Sequence, residues 1–108
     1  GMNLADLFKQ AKEMQSKATE MQKVVERIEV EGQSGGGMVK IVLSGKSDLK
    51  RLEIDPSIVR PDDKAMIEDL ILAAHADAKA KLESRLADEM QRMSREMGLP
   101  AGLGGLFG

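Results

Sequence analysis

The 108-residue chain predicts an α+β protomer of order α-β-β-β-α: a three-stranded antiparallel meander flanked by two long helices. Three observations carry this. Apolar residues recur at three- and four-residue spacings up to residue 28 and again from residue 67. Only in the middle does the period drop to two. Glycines punctuate that middle stretch, at Gly32, Gly35-Gly36-Gly37 and Gly45.

The first helix is expected over Leu4 to Arg27, with Asn3 as N-cap and Asp6 near the positive helix end. Its apolar seam is Leu4, Leu7, Ala11, Met14, Ala18, Met21, Val25 and Ile28, an unbroken heptad pattern. Ile28 and Val30 then alternate with Glu29 and Glu31, which reads as a first strand ending at Gly32. The three consecutive glycines permit a turn with positive φ. Val39, Ile41 and Leu43 lie on one face of the central strand, and Lys40, Val42 and Ser44 on the other. Leu52 and Ile54, alternating with Arg51 and Glu53, mark a third strand after Gly45-Lys46-Ser47.

The second helix opens near Pro61-Asp62-Asp63 and stops at Met97, before Gly98 and Pro100. Its stripe is Ile67, Ile71, Ala74, Ala78, Leu82, Leu86, Met90, Met93 and Met97. At 1.5 Å per residue it spans roughly 50 Å, more than a small sheet can cover. Its first half is therefore assigned to the core, and its second half projects or packs on another helix. Residues 2–97 form one domain, and residues 98–108, rich in Gly and Leu, a flexible tail with a docking role toward a protein partner.

Aromatic residues are confined to Phe8 and Phe107, so the core rests on aliphatic side chains. That thin core and the heptad seam predict a homodimer. Its interface is assigned to Leu4, Leu7, Ala11, Met14, Ala18 and Met21 of the seam, with Val39, Ile41 and Leu43 of the central strand.

Chemistry is sparse. The chain has no cysteine, so neither a disulfide framework nor a thiolate site, which suits a reducing cytoplasm. No apolar run approaches a membrane span, no signal peptide precedes the first helix, and Gly1 before Met2 reads as an expression remnant. Gly45-Lys46-Ser47 lacks the earlier glycine of a phosphate-binding loop and is followed by a strand rather than a helix. His75 is the only histidine and has no ligand partners in sequence. Neither catalysis, a metal nor a cofactor is expected.

Charge is informative by location. Net charge is −2, which excludes a globally basic nucleic-acid binder. Residues 28–78 carry six basic and ten acidic side chains, whereas the helical arms are net positive. The candidate phosphate contacts are Lys9, Lys12, Lys17, Lys23 and Arg27 on the first helix, and Lys79, Lys81, Arg85, Arg92 and Arg95 on the second.

Met2-Asn3-Leu4, Met14-Gln15, Met21-Gln22, Gly32, Gly35-Gly36-Gly37, Val39-Lys40, Ile54-Asp55-Pro56-Ser57, Glu68-Asp69-Leu70-Ile71 and Ala73-Ala74 together resemble the YbaB/EbfC family of bacterial nucleoid-associated proteins. The chain departs from that pattern at His75-Ala76-Asp77-Ala78, where the family tends to carry Asn-Asp after the double alanine. The resemblance implies an intertwined homodimer with helical arms projecting like tweezers, double-stranded DNA as partner, no catalysis, and a cytoplasmic location on the nucleoid. A dimeric protein-interaction adaptor that never touches DNA is the alternative.

Overall fold

The computed structural model describes residues 3–98. Helix α1 (Leu4–Arg27) is followed by β1 (Glu29–Ser34), β2 (Val39–Ser44), β3 (Leu49–Ile54) and helix α2 (Lys64–Glu96). Single 3-10 turns occupy Gly35–Gly37, Pro56–Ile58 and Pro61–Asp63. The α-β-β-β-α order is the expected one, and the tail expected to be flexible lies outside the described residues beyond Gly98.

Asn3 caps α1, its Oδ1 accepting the N–H of Asp6 at 2.9 Å. The helix ends where Ile28 turns to extended backbone (φ −71°, ψ 132°) and buries its side chain. The last position of the heptad seam is thus the corner between helix and sheet.

The sheet has strand order β1-β2-β3, antiparallel throughout. Glu29 faces Ser44 and Ser34 faces Val39. All three glycines of the connecting turn have positive φ, which side chains bearing a Cβ resist. β1 runs two residues beyond Gly32, further than its sequence pattern predicts. In the next connection Ser44 Oγ accepts the N–H groups of Lys46 and Asp48. A bulge at Val42/Leu43 skips Lys50, so Leu49 opposes Leu43 while Leu52 opposes Ile41.

Helix α2 lies across β1 and β2. Val39, Ile41 and Leu43 are fully buried against Ala74 and Ala78, with Ile58 closing the end of the cluster. Each of the three large side chains contributes at most about 1.5–3 kcal/mol of apolar burial. Val39, Ile41 and Leu43, assigned from the sequence to a dimer interface, are buried within the single chain beneath α2. Val42, on the opposite face, is also buried, between the flanking strands' Glu31 and Arg51.

Two glycines permit the close approach of helices and sheet. A methyl group on Gly32 would overlap the backbone nitrogen of Ala78 and the carbonyl oxygen of Ala74. One on Gly45 would overlap the carbonyl of Val25 at the end of α1. Backbone against backbone leaves no flexible side chain to give way.

Gly32→Ala is therefore expected to lower unfolding free energy by about 3 kcal/mol or more, the upper end of overpacking costs. Gly36→Ala meets open space and only a positive φ of 68°, so it should cost about 1–2 kcal/mol. Urea denaturation of both variants at one protein concentration checks the ranking, and equal losses would contradict it.

Candidate nucleic-acid interface

Beyond the sheet, α1 and the second half of α2 run side by side in opposite directions. Met21 and Val25 share a cleft with Leu86 and Met90. Further out, Met14 and Ala18 meet Met90, Met93 and Met97. Lys17 Nζ reaches Glu96 Oε2 at 3.7 Å. The middle of the heptad seam thus lies along α2 of the same chain, with Met21 and Val25 half-buried and Met14 and Ala18 still exposed. Leu4, Leu7 and Ala11 run past the last turn of α2 and remain exposed.

With one face of α1 committed to α2, the opposite face is set by the helical period. Lys9, Lys12, Ser16, Thr19, Lys23 and Arg27 follow one another at spacings of three and four residues on that outer face. All are exposed, and a shallow depression runs along Lys12, Gln15, Ser16, Thr19, Glu20 and Lys23, so one carboxylate stands in it. Among the described residues, Lys9, Lys12, Lys23 and Arg27 make no ion pair, leaving their charges available. Lys17 lies off this line and is shared between Glu20 at 3.3 Å and Glu96. Ser16 and Thr19 were not among the residues the charge pattern selects; their signal is the same spacing as the lysines. The Thr19 hydroxyl donates back to the Gln15 carbonyl at 3.1 Å, whereas Ser16 is the hydroxyl open to a ligand.

The five basic candidates of α2 are arranged differently. Lys81 sits at the sheet edge, pairing with Asp77 at 3.0 Å and donating to the Glu31 carbonyl at 3.2 Å. Asp77 in turn accepts the Gln33 N–H at 2.9 Å. Arg85 and Arg92 flank Glu89 at 3.3 and 3.0 Å, and Arg92 also holds Glu96 at 2.6 Å. Hydrogen bonding from Arg92 foremost holds the Glu89 carboxyl below its ordinary range, and Glu89 raises Arg92. Lys79 and Arg95 make no ion pair among the described residues, but sixteen residues of helix put them roughly 160° apart. The structure brings four of the five α1 candidates, all but Lys17, into one row and does not do so for α2.

No group of three or more His, Cys, Asp or Glu among the described residues is arranged to hold a metal ion. His75 stands exposed on α2. No described helix is long and apolar enough to cross a membrane.

The sequence profile of the YbaB/EbfC DNA-binding family matches residues 1–97. The chain belongs to this family. It is 52% identical over 101 residues to a nucleoid-associated protein of Granulibacter bethesdensis, an alignment covering 94% of each chain. A nucleoid-associated protein of Methylocella silvestris is 46% identical, again over 94% of both chains. The fold is similar to the crystal structure of an uncharacterized Helicobacter pylori protein, with a TM-score of 0.71 at 22% identity, covering 86% of this chain and 98% of the other.

The Asp77 contact has a pH signature. The Gln33 N–H first, and Lys81 second, hold its carboxyl below the ordinary value. Unfolding returns it to about 3.9. The contact's stabilisation is thus complete above that value and is lost as pH falls through the lowered folded value. Asp77→Asn should narrow the difference in unfolding free energy between pH 7 and pH 3, measured in urea; an unchanged difference would contradict the contact's role.

Proposed function

We propose that the protein binds duplex DNA as a homodimer, through phosphate contacts along the outer face of α1, with little discrimination of sequence. The observation that carries this reading is the row Lys9, Lys12, Lys23 and Arg27, unpaired and joined by Ser16 on one straight helix face. From Lys9 to Arg27 the helix rises roughly 27 Å, about eight base-pair steps at 3.4 Å per strand phosphate. Such contacts position a protein without reading bases. No aromatic side chain lies within the row to stack on a single strand. The nucleoid-associated names of the relatives support the same setting, and effects on DNA conformation, nucleoid organisation and gene expression belong to this proposal.

The dimer reading rests on the uncovered part of the sheet. Leu49 and Leu52 oppose Leu43 and Ile41, so they share the core face, yet they are 57% and 41% exposed. Val59 and Leu72 are exposed as well. The β1 edge is closed by Asp77 and Lys81, whereas β3 has nothing along its outer side among the described residues. A second copy meeting β3 across a two-fold axis would cover this surface and bring two pairs of arms into one particle.

Lys12→Glu with Lys23→Glu is expected to weaken binding at least about tenfold on any duplex, because repulsion replaces counterion release at two phosphates. Arg85→Gln with Arg92→Gln should change affinity by no more than about threefold, since those charges are already neutralised. Fluorescence anisotropy with two duplexes unrelated in sequence, and sedimentation to confirm a common dimer, provide the test. Equal effects of both pairs would overturn the assignment to α1. A stable folded monomer would overturn the dimer, and no binding by the unmodified protein would favour the adaptor alternative.

A further inference from the structure

Phe8 is the only aromatic side chain among the described residues, and it is 68% exposed. It is not part of the seam. At about 100° per residue it lies roughly 70° round α1 from the line of Leu4, Leu7 and Ala11. The period puts it instead on the line of Lys12, Gln15 and Thr19, which follow it at spacings of four, three and four. With Ser16, Glu20 and Lys23, those three residues line the depression on the outer face of the helix. Phe8 thus continues one edge of that depression a turn beyond Lys12, toward the free end of the arm.

The setting selects what can cover the ring. Lys9 and Lys12 flank it, and neither makes an ion pair among the described residues. The acids of this end, Asp6 and Glu13, lie roughly 140–160° away round the helix. Helix α2 ends beside Met14, and Phe8 is six residues, roughly 9 Å, further out. A second copy laid two-fold on this patch would bring lysine against lysine around the ring. A polyanion with apolar surface between its charges meets both demands, and a duplex offers that surface as the faces of its stacked bases.

A helix that holds Lys12, Lys23 and Arg27 on phosphates stays outside the grooves. The minor groove, about 6 Å wide, is too narrow for a helix about 10 Å across and open to a single side chain. A side chain standing beside the basic row can therefore reach a base step, and Phe8, roughly 40° round from Lys12, is the large apolar one there. A phenyl ring makes no hydrogen bond and reads no base edge. It can enter between two stacked pairs, unstacking them and kinking the duplex toward the major groove. The cost is least at pyrimidine–purine steps such as TA.

We propose that Phe8 is a wedge: as the arm lies along the phosphates, its ring inserts from the minor groove at a base step and bends the duplex. The inference rests on the phosphate row of α1 and adds a local kink to it. Binding then favours flexible steps without any contact to a base edge, while the ionic part of the affinity stays independent of sequence.

The test uses the full chain and a short duplex with a dye at each end, a central TA step and 2-aminopurine beside that step. The unmodified protein is expected to shorten the end-to-end distance, through a bend of about 20–90°, and to raise 2-aminopurine fluorescence as the step unstacks. Phe8→Ala, at an exposed helical position, should lose most of both signals, with affinity reduced by no more than about tenfold and an unchanged salt slope. Phe8→Leu should keep both signals, since leucine also serves as a wedge. Equal signals from Phe8→Ala and the unmodified chain would overturn the wedge, as would salt-dependent binding by the unmodified chain with neither signal. In both cases the phosphate reading stands. No duplex binding by the unmodified chain would overturn the two together.

Discussion

The molecule depends on the contact between β1 and α2 at Gly32. There the strand lies against the helix backbone, at Ala74 and Ala78, without a side chain between them. That approach seats α2 low enough for Val39, Ile41 and Leu43 to be sealed by alanines. It also brings Asp77 and Lys81 within reach of the Gln33 N–H and the Glu31 carbonyl, closing the β1 edge. Since the sheet is short, a helix anchored by its first half must leave the sheet with its second. Gly45 against the Val25 carbonyl fixes the end of α1 beside it. The paired arm follows from these two backbone contacts and the length of the helices.

The basic residues of the two arm helices differ in whether they are paired. On α2, Arg85, Glu89, Arg92 and Glu96 form an alternating ladder at i,i+3 and i,i+4 spacing. Such exposed pairs add little stability individually, but they cancel the positive charge of that helix. On α1 Glu13 and Glu26 stand off the outer row, whereas Glu20 lines the same depression as Lys12 and Lys23. Lys9, Lys12, Lys23 and Arg27 make no ion pair among the described residues, and the proposed phosphate contact rests on that difference from Arg85 and Arg92.

Local periodicity made the elements legible. Asn3 and the heptad spacing marked α1 over the residues it occupies, Leu4–Arg27. Pro61 signalled α2, although Pro61–Asp63 closes a separate 3-10 turn and the α-helix begins at Lys64. Gly32 reads as the end of a strand because its value lies in a contact more than forty residues away. The seam of α1 reads as a dimer interface because periodicity defines an apolar face and not the chain that meets it; Met14, Ala18 and Met21 line clefts shared with α2 of the same chain, yet Met14 and Ala18 remain exposed. Likewise, the basic residues of the arms were all visible. The loss of Lys81 to the Glu31 carbonyl, fifty residues distant, was not.

The central claim is that binding is phosphate contact from one exposed helix face. Its most direct test is the affinity of the unmodified protein for duplex DNA measured from low to moderate salt. Log affinity is predicted to fall linearly with log salt, and Lys12→Gln should reduce the slope by about one. The slope should be the same for duplexes of unrelated sequence. An affinity indifferent to salt, or a slope unaltered by Lys12→Gln, would contradict the account.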